Sequence, residues 1–128
     1  MEQWNLIIDV AKCHNCNNCF LACKDEYVGN NFPGYSAPQP LHGHKWLFIE
    51  SCERGQMPMV EVAFRPTTCN HCRQAPCVEQ ATGGSVYQRE DGIVMIDPDK
   101  ARGKKKIASS CPYDAIWWNE QEQLAQKW

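Results

Sequence analysis

Short stretches of alternating or clustered apolar residues, broken by glycine, proline and asparagine, predict small elements in this chain. Trp4 to Val10 alternates and is rich in branched side chains, which predicts a strand leading into a group of cysteines. Phe20 to Tyr27 reads as a short helix closing before Gly29. From Asn30 to Pro40 the composition shifts to Asn, Gly, Ser and Pro, with Phe32 and Tyr35 set among them, so an ordered excursion without regular structure is expected. Lys45 to Ser51 and Met59 to Arg65 predict two strands joined through Glu53-Arg54-Gly55-Gln56, with Pro66 stopping the second. A hairpin follows, Ser85 to Arg89 and Ile93 to Ile96 around Glu90-Asp91-Gly92, ended by Asp97-Pro98. Lys106 to Ser110 reads as a helical turn, Ala115 to Asn119 as an aromatic strand, and Glu120 to Lys127 as a polar tail closed by Trp128. No apolar run is long enough to span a bilayer.

Cysteines punctuate this pattern. Cys13-His14-Asn15-Cys16-Asn17-Asn18-Cys19-Phe20-Leu21-Ala22-Cys23 has the spacing C-x2-C-x2-C-x3-C, the run that holds a [4Fe–4S] cubane in bacterial-type ferredoxins. Three thiolates two residues apart let a short loop wrap one cubane, each reaching a different iron. Cys23 lies one helical turn beyond Cys19, where a helix carries it away toward a second cluster. The proline that usually follows the fourth cysteine is Lys24 here. A second three-thiolate loop, Cys69-Asn70-His71-Cys72-Arg73-Gln74-Ala75-Pro76-Cys77, has the spacing C-x2-C-x4-C, and Cys111-Pro112 adds a further thiol. Cysteine loop, short helix, hairpin and cysteine loop form a degenerate internal repeat, which a ferredoxin-like α+β domain needs.

With 128 residues, 43% of them hydrophobic, and a mean hydropathy of −0.56, the chain fits one small domain. Domains of this size often need metal or disulfide staples, and nine cysteines supply the means. Met1 to Asp9 has neither a basic region nor a long apolar one, so it does not read as a signal peptide. That favours reduced, metal-binding thiols and a cytoplasmic setting. The net charge of −2 gives no reason to expect nucleic acid.

A zinc ribbon also uses C-x2-C units, but its arms normally carry two cysteines, not three. Cys52 fits no motif and is expected to be a buried structural thiol. His14 and His71 sit inside loops whose thiolates are already sufficient, so supporting or surface roles are expected. His42 and His44 are expected to be solvated. Trp46, Trp117 and Trp118 read as core, and Arg102 with Lys104 to Lys106 as a solvated basic loop or a docking patch. No Ser/His/Asp set, purposeful carboxylate pair or phosphate-binding glycine loop is present, so no catalytic residue is expected.

Together these motifs resemble the iron–sulfur electron-transfer subunits of molybdopterin oxidoreductases of the dimethyl-sulfoxide-reductase type, and among them the transhydroxylase kind. The likeness runs through Ile8-Asp9-Val10-Ala11-Lys12-Cys13, Asn17-Asn18-Cys19-Phe20, Pro33-Gly34-Tyr35, and Tyr87-Gln88-Arg89-Glu90-Asp91-Gly92-Ile93-Val94. It continues through Ile96-Asp97-Pro98, Cys111-Pro112-Tyr113 and Trp118-Asn119-Glu120, covering essentially the whole chain.

In that family four cysteine motifs pair first with fourth and second with third. The third motif's first three positions are Ala101, Lys104 and Ile107 here, and the second motif's own fourth position is Ala81. Those four absent thiolates would all have served one cluster, so the resemblance implies that one cluster is deleted whole. It also implies that Cys69, Cys72, Cys77 and Cys111 form a complete ligand set. Spacing alone leaves another pairing open, with Cys111 closing the first loop and Cys23 the second. The fourth motif is expected directly after Ala125-Gln126-Lys127, where this sequence has Trp128. The last ligand for Cys13, Cys16 and Cys19, and the companions of Cys23, are expected from a longer chain, from another chain, or from Cys23 or Cys52 locally.

The expected protein is therefore one α+β, ferredoxin-like iron–sulfur domain over 1–128, with short strands, hairpins, cysteine loops and an insert at about 30–66. It is expected to bind [4Fe–4S] clusters and to perform no catalysis itself. The resemblance implies a large partner subunit carrying molybdopterin with molybdenum or tungsten, acting in the transhydroxylase case on a phenolic ring under anaerobic conditions. A free-standing soluble ferredoxin and a zinc-ribbon interaction module are the alternatives.

Overall fold

The computed structural model describes residues 2–128; Met1, the first residue of the segment read for a leader, lies outside them. A 3-10 turn at Val10–Lys12 opens the first cysteine loop. Helix α1, Asn18–Tyr27, follows, and its backbone leaves through Val28 into the irregular excursion. Strands β1 (Phe48–Gln56) and β2 (Met59–Thr67) form a long hairpin arm, and the four-residue helix α2 (Pro76–Glu79) closes the second cysteine loop. Hairpin β3 (Val86–Gln88) and β4 (Val94–Ile96), a 3-10 turn at Lys105–Ser110, and hairpin β5 (Trp117–Asn119) and β6 (Leu124–Gln126) complete the chain. All three strand pairs are antiparallel and two-stranded. This is an α+β, ferredoxin-like domain in which short elements frame cysteine loops.

A two-stranded hairpin buries little by itself, so the two later pairs depend on a shared core, while the β1–β2 arm stands outside it. This main core gathers Ala75, Cys77, Val86, Val94, Ile96, Ala101, Ile107, Ile116, Leu124 and Ala125. A smaller one holds Cys23, Trp46 and Leu47, with Cys19, Tyr27 and Trp117 against it. Each core thus contains cysteines from a different loop. Trp46 is buried and Trp117 and Trp118 are half-buried against the two cores, as the sequence predicted.

Several expectations are corrected. Trp4 to Val10 does not form a strand; its apolar side chains are exposed, Trp4 donates to the distant Asp91 carbonyl, and the Asp9 and Val10 carbonyls accept only from the turn that follows. Alternation makes a strand only where a second edge completes the ladder, and no such edge lies alongside among the described residues. The arm reverses at Met57-Pro58 rather than at Glu53–Gln56, which lie within β1 opposite Met59 to Val62. Gly55, at φ +95°, lies so close to the Met59 carbonyl that a Cβ would collide with it. Pro66 does not stop β2, because it pairs with Ile49 in a two-stranded ribbon where a missing N–H faces no ladder.

The predicted polar tail is instead a turn and a buried strand. Leu124, Ala125 and Gln126 all lie inside, with the Gln126 amide donating to the carbonyls of Ala37 and Pro38. Cys52, expected to be buried, is exposed midway along the arm. His44, expected to be solvated, is buried, with Nε2 donating to the Trp118 carbonyl at 3.0 Å.

Candidate metal centres

Both cysteine loops turn by the same device. The second residue after the opening cysteine is left-handed: Asn15 at φ 60° and His71 at φ 44°. Asparagine tolerates that conformation better than most side chains. Asn17, also left-handed, precedes α1 and donates from Nδ2 to the Asn15 carbonyl at 3.0 Å. The helix then carries Cys19 and Cys23 one turn apart on one face, the first half-buried and the second buried.

His71 is held by its surroundings. Its Nδ1 accepts the Val94 N–H at 3.0 Å, and its ring meets Trp128 edge-on at 5.8 Å. Burial, with Lys127 nearby, pushes its pKa down to about 4. A neutral histidine that fixes the second loop against β4 is the result, in keeping with a supporting role.

In the second loop, Pro76 starts α2 at a position that needs no N–H, and Cys77 is buried one residue later. Cys111 comes to it from the end of the 3-10 turn at Lys105–Ser110, and Cys72 packs against the same core. Cys77 is pushed up by burial and by Cys69 and Cys111 beside it, while Lys127 pulls it down. Cys77 lies in a dry core with other thiols near it, so its charged form is favoured only where cations neutralise it.

Around the first loop, burial raises Cys23 while Lys24 and an N–H donated by Leu47 oppose the rise. The indole N–H groups of Trp46 and Trp117 are buried beside these cysteines and have no acceptor within the protein. Buried donors without acceptors are rare and expensive. Acceptor-rich sulfur at Cys19 and Cys23 suits those donors, and the thiol-only ligand set fits iron–sulfide. Among the described residues no three His, Cys, Asp or Glu side chains gather around one point as a single ion requires. A cubane does not demand it, because each thiolate reaches its own iron.

Ala81, Ala101 and Ile107 meet in the main core, Ala101 fully buried. Lys104 reaches from beside them to the Thr82 carbonyl at 2.7 Å. The four positions at which the resemblance implies absent ligands therefore lie together, occupied by packing side chains and one hydrogen bond. The basic loop is likewise occupied locally: Arg102 donates to the Glu122 carbonyl and Lys105 to the Glu120 carboxylate, both at 2.7 Å.

A family described as "4Fe-4S dicluster domain" matches residues 60–128, which spans the second loop, Cys111 and both later hairpins. The chain belongs to that family. Its cofactors are [4Fe–4S] clusters. The dicluster domain's individual relatives extend the match over the first loop as well. The chain is 54% identical to the pyrogallol hydroxytransferase small subunit of Pelobacter acidigallici over 99% of its own length and 46% of the relative's. It is 33% identical to the arsenate respiratory reductase iron–sulfur subunit of a Shewanella species, over 89% of this chain and 44% of that one. For the thiosulfate reductase electron transfer subunit of Salmonella typhi the figures are 30%, 98% and 61%. The chain thus spans about half the length of the curated relatives it matches.

Sequence reasoning missed His44, which sits in a polar stretch of the sequence and is buried only by packing against β5, and it gave no role to Lys127, which follows β6 and is half-buried. No helix among the described residues is long and apolar enough to cross a membrane.

Proposed function

We propose that this domain is the electron-relay part of an oxidoreductase complex. Cys69, Cys72, Cys77 and Cys111 hold one [4Fe–4S] cluster, and Cys13, Cys16, Cys19 and Cys23 supply thiolates to clusters at the first loop. Bound clusters accept and return single electrons, the chemistry that the chain's own side chains lack. The chain itself binds, orients and dries these centres and has no catalytic residue. Residues 1–128 act as one domain, with 30–66 as an insert. Its partner is a large subunit carrying molybdopterin with molybdenum or tungsten, and the likeness to a pyrogallol hydroxytransferase subunit favours a phenolic substrate there. Nine thiols without a disulfide suit the cytoplasm.

The observation that carries the reading is that Cys77 is buried in the main core with Cys72 and Cys111 packed against that core, and that Cys69 and Cys111 stand near enough to Cys77 to push its pKa up. Burial matters because solvent exposure and N–H···S bonds set the potential of such a centre. Leu47 already directs an N–H to Cys23 in this way.

Anaerobic purification tests the proposal directly. The protein is expected to be brown, to contain iron and acid-labile sulfide, and to co-purify with a molybdenum- or tungsten-containing chain. Cys111→Ser should remove or convert one cluster only, the one served by Cys69, Cys72 and Cys77. Damage to the centre of Cys13, Cys16 and Cys19 instead would establish the alternative pairing. A colourless, zinc-containing protein without sulfide would end the reading altogether.

A further inference from the structure

Trp46 is the largest side chain sealed inside the fold, 1% exposed, at the root of the β1–β2 arm. Its carbonyl accepts the Thr68 hydroxyl at 3.1 Å across that root, and its ring lies 5.0 Å from the Tyr27 ring of α1. Backbone and ring are therefore held from two sides. In that position Trp46 packs with Cys23 and Leu47, and Cys19, Tyr27 and Trp117 lie against the same small core. Trp117 arrives from β5, paired there with Gln126, and its ring lies 5.8 Å from that of His44.

An indole N–H can donate and cannot accept, so it is satisfied in one way only. The N–H groups of Trp46 and Trp117 are both buried, and neither has an acceptor within the protein, the Tyr27 hydroxyl included. Leaving a buried donor unpaired costs more than a made hydrogen bond contributes. A core that needed only packing would be filled by phenylalanine without that cost. Besides hydrocarbon, what this core offers is the sulfur of Cys19 and Cys23. A thiol is a weak acceptor, whereas thiolate and sulfide carrying negative charge are strong ones. Trp118 also has a buried N–H without an acceptor, but it packs against the main core, with the Lys105 ammonium 5.7 Å from its ring. It stands outside this pair.

We propose that the Trp46 and Trp117 indoles donate hydrogen bonds to sulfur of the centre that Cys23 serves, and that they raise its potential. Reduction adds negative charge to the sulfurs, so a donor fixed on them stabilises the reduced form more than the oxidised one. This rests on the electron-relay reading above. It sets the Cys23 centre apart from the centre that Cys111 serves, which neither indole reaches.

The test is a redox titration followed by electron paramagnetic resonance on the whole protein with its co-purifying subunits. Wild type is compared with Trp46→Phe and Trp117→Phe, which keep an aromatic ring and remove the donor. In Trp46→Phe, the centre identified by its loss in Cys23→Ser should show a roughly three- to tenfold lower ratio of reduced to oxidised form at the wild-type midpoint. That ratio corresponds to a downward shift of about 28–59 mV for one electron. Trp117→Phe should shift it in the same direction, and the centre lost in Cys111→Ser should hold its midpoint in both variants. If Trp46→Phe does not retain iron, the wild type itself decides. With tryptophan isotope-labelled at the indole nitrogen, hyperfine spectroscopy of the reduced Cys23 centre should show a coupling to that nitrogen. An unchanged midpoint at equal iron and sulfide content, or no such coupling, overturns the inference while leaving the relay reading intact. Equal shifts in both centres overturn it too. A wild type without iron would instead overturn the relay reading itself.

Discussion

Cys77 lies inside the main core with Cys72 and Cys111 packed against it, whereas in the first loop only Cys23 is buried and Cys16 is exposed. The two loops share a left-handed turn residue after the opening cysteine, so the local backbone does not account for the contrast. What differs is the second layer. The later loop is enclosed by two hairpins and a 3-10 turn; the earlier one is backed on one side by Trp46, Leu47 and Trp117. A ligand that is also a core residue couples cluster binding to folding. A ligand on an exposed turn does not.

The sharpest test of that contrast substitutes one cysteine from each loop. Cys77→Ala should abolish the second cluster, with a loss of roughly four iron atoms per chain, and should also leave the main core open. Cys16→Ala should lose iron at the first loop with secondary structure and solubility retained. Iron analysis with circular dichroism reads both. Folding losses of similar size in the two variants would dissolve the distinction between the loops.

Next in size is the backing of the first loop. Trp46 is almost fully buried, and Trp46→Ala removes the largest side chain of the smaller core. Truncation of a buried aromatic costs about 3–5 kcal/mol. Denaturant unfolding should show a loss in that range, and the first-loop centre should become more labile to chelators than the second. Chelation at equal rates would mean that the tryptophan supports the fold without shielding the centre. On the other side, Leu124→Ala should cost about 2–5 kcal/mol by opening a cavity under the second loop.

How much of this was legible beforehand differs between the two regions in an instructive way. Thiolate spacing is a local property, so both loops, helix α1 and the β3–β4 hairpin could be read from adjacent residues. Strand β6 could not be. Leu124-Ala125-Gln126 has only one large apolar residue, and its burial comes from Gln126 satisfying carbonyls 88 and 89 positions earlier. His44 was missed for the same reason, since its partner is the Trp118 carbonyl, 74 positions away. Trp4 to Val10 failed in the opposite sense. Its side-chain pattern is that of a strand, but pattern specifies a face and does not supply a neighbouring edge.

The arm formed by β1 and β2 gives the smaller effects, because it stands outside both cores. Gly55→Ala should destabilise the hairpin by about 1–3 kcal/mol, since a Cβ at that positive φ meets the Met59 carbonyl. Limited proteolysis at Met57-Pro58 should quicken, with iron content at both loops unchanged. Loss of iron in this variant would show that the arm is part of the cluster framework.

The smallest effect is expected at Cys52, and it separates a ligand from a bystander. Its thiol is exposed on β1 opposite Ala63, in a strand pair that carries none of the other eight cysteines. An exposed side chain that fills no cavity and closes no hydrogen bond contributes little, so Cys52→Ser should change stability by no more than about 0.5 kcal/mol. Iron content and every midpoint should match the wild type, because serine keeps the size of the side chain and removes only the thiolate. Were the first loop to recruit Cys52 as a missing ligand, this variant would lose that centre selectively. The measurement then decides whether the arm lies outside the iron chemistry or reaches into it.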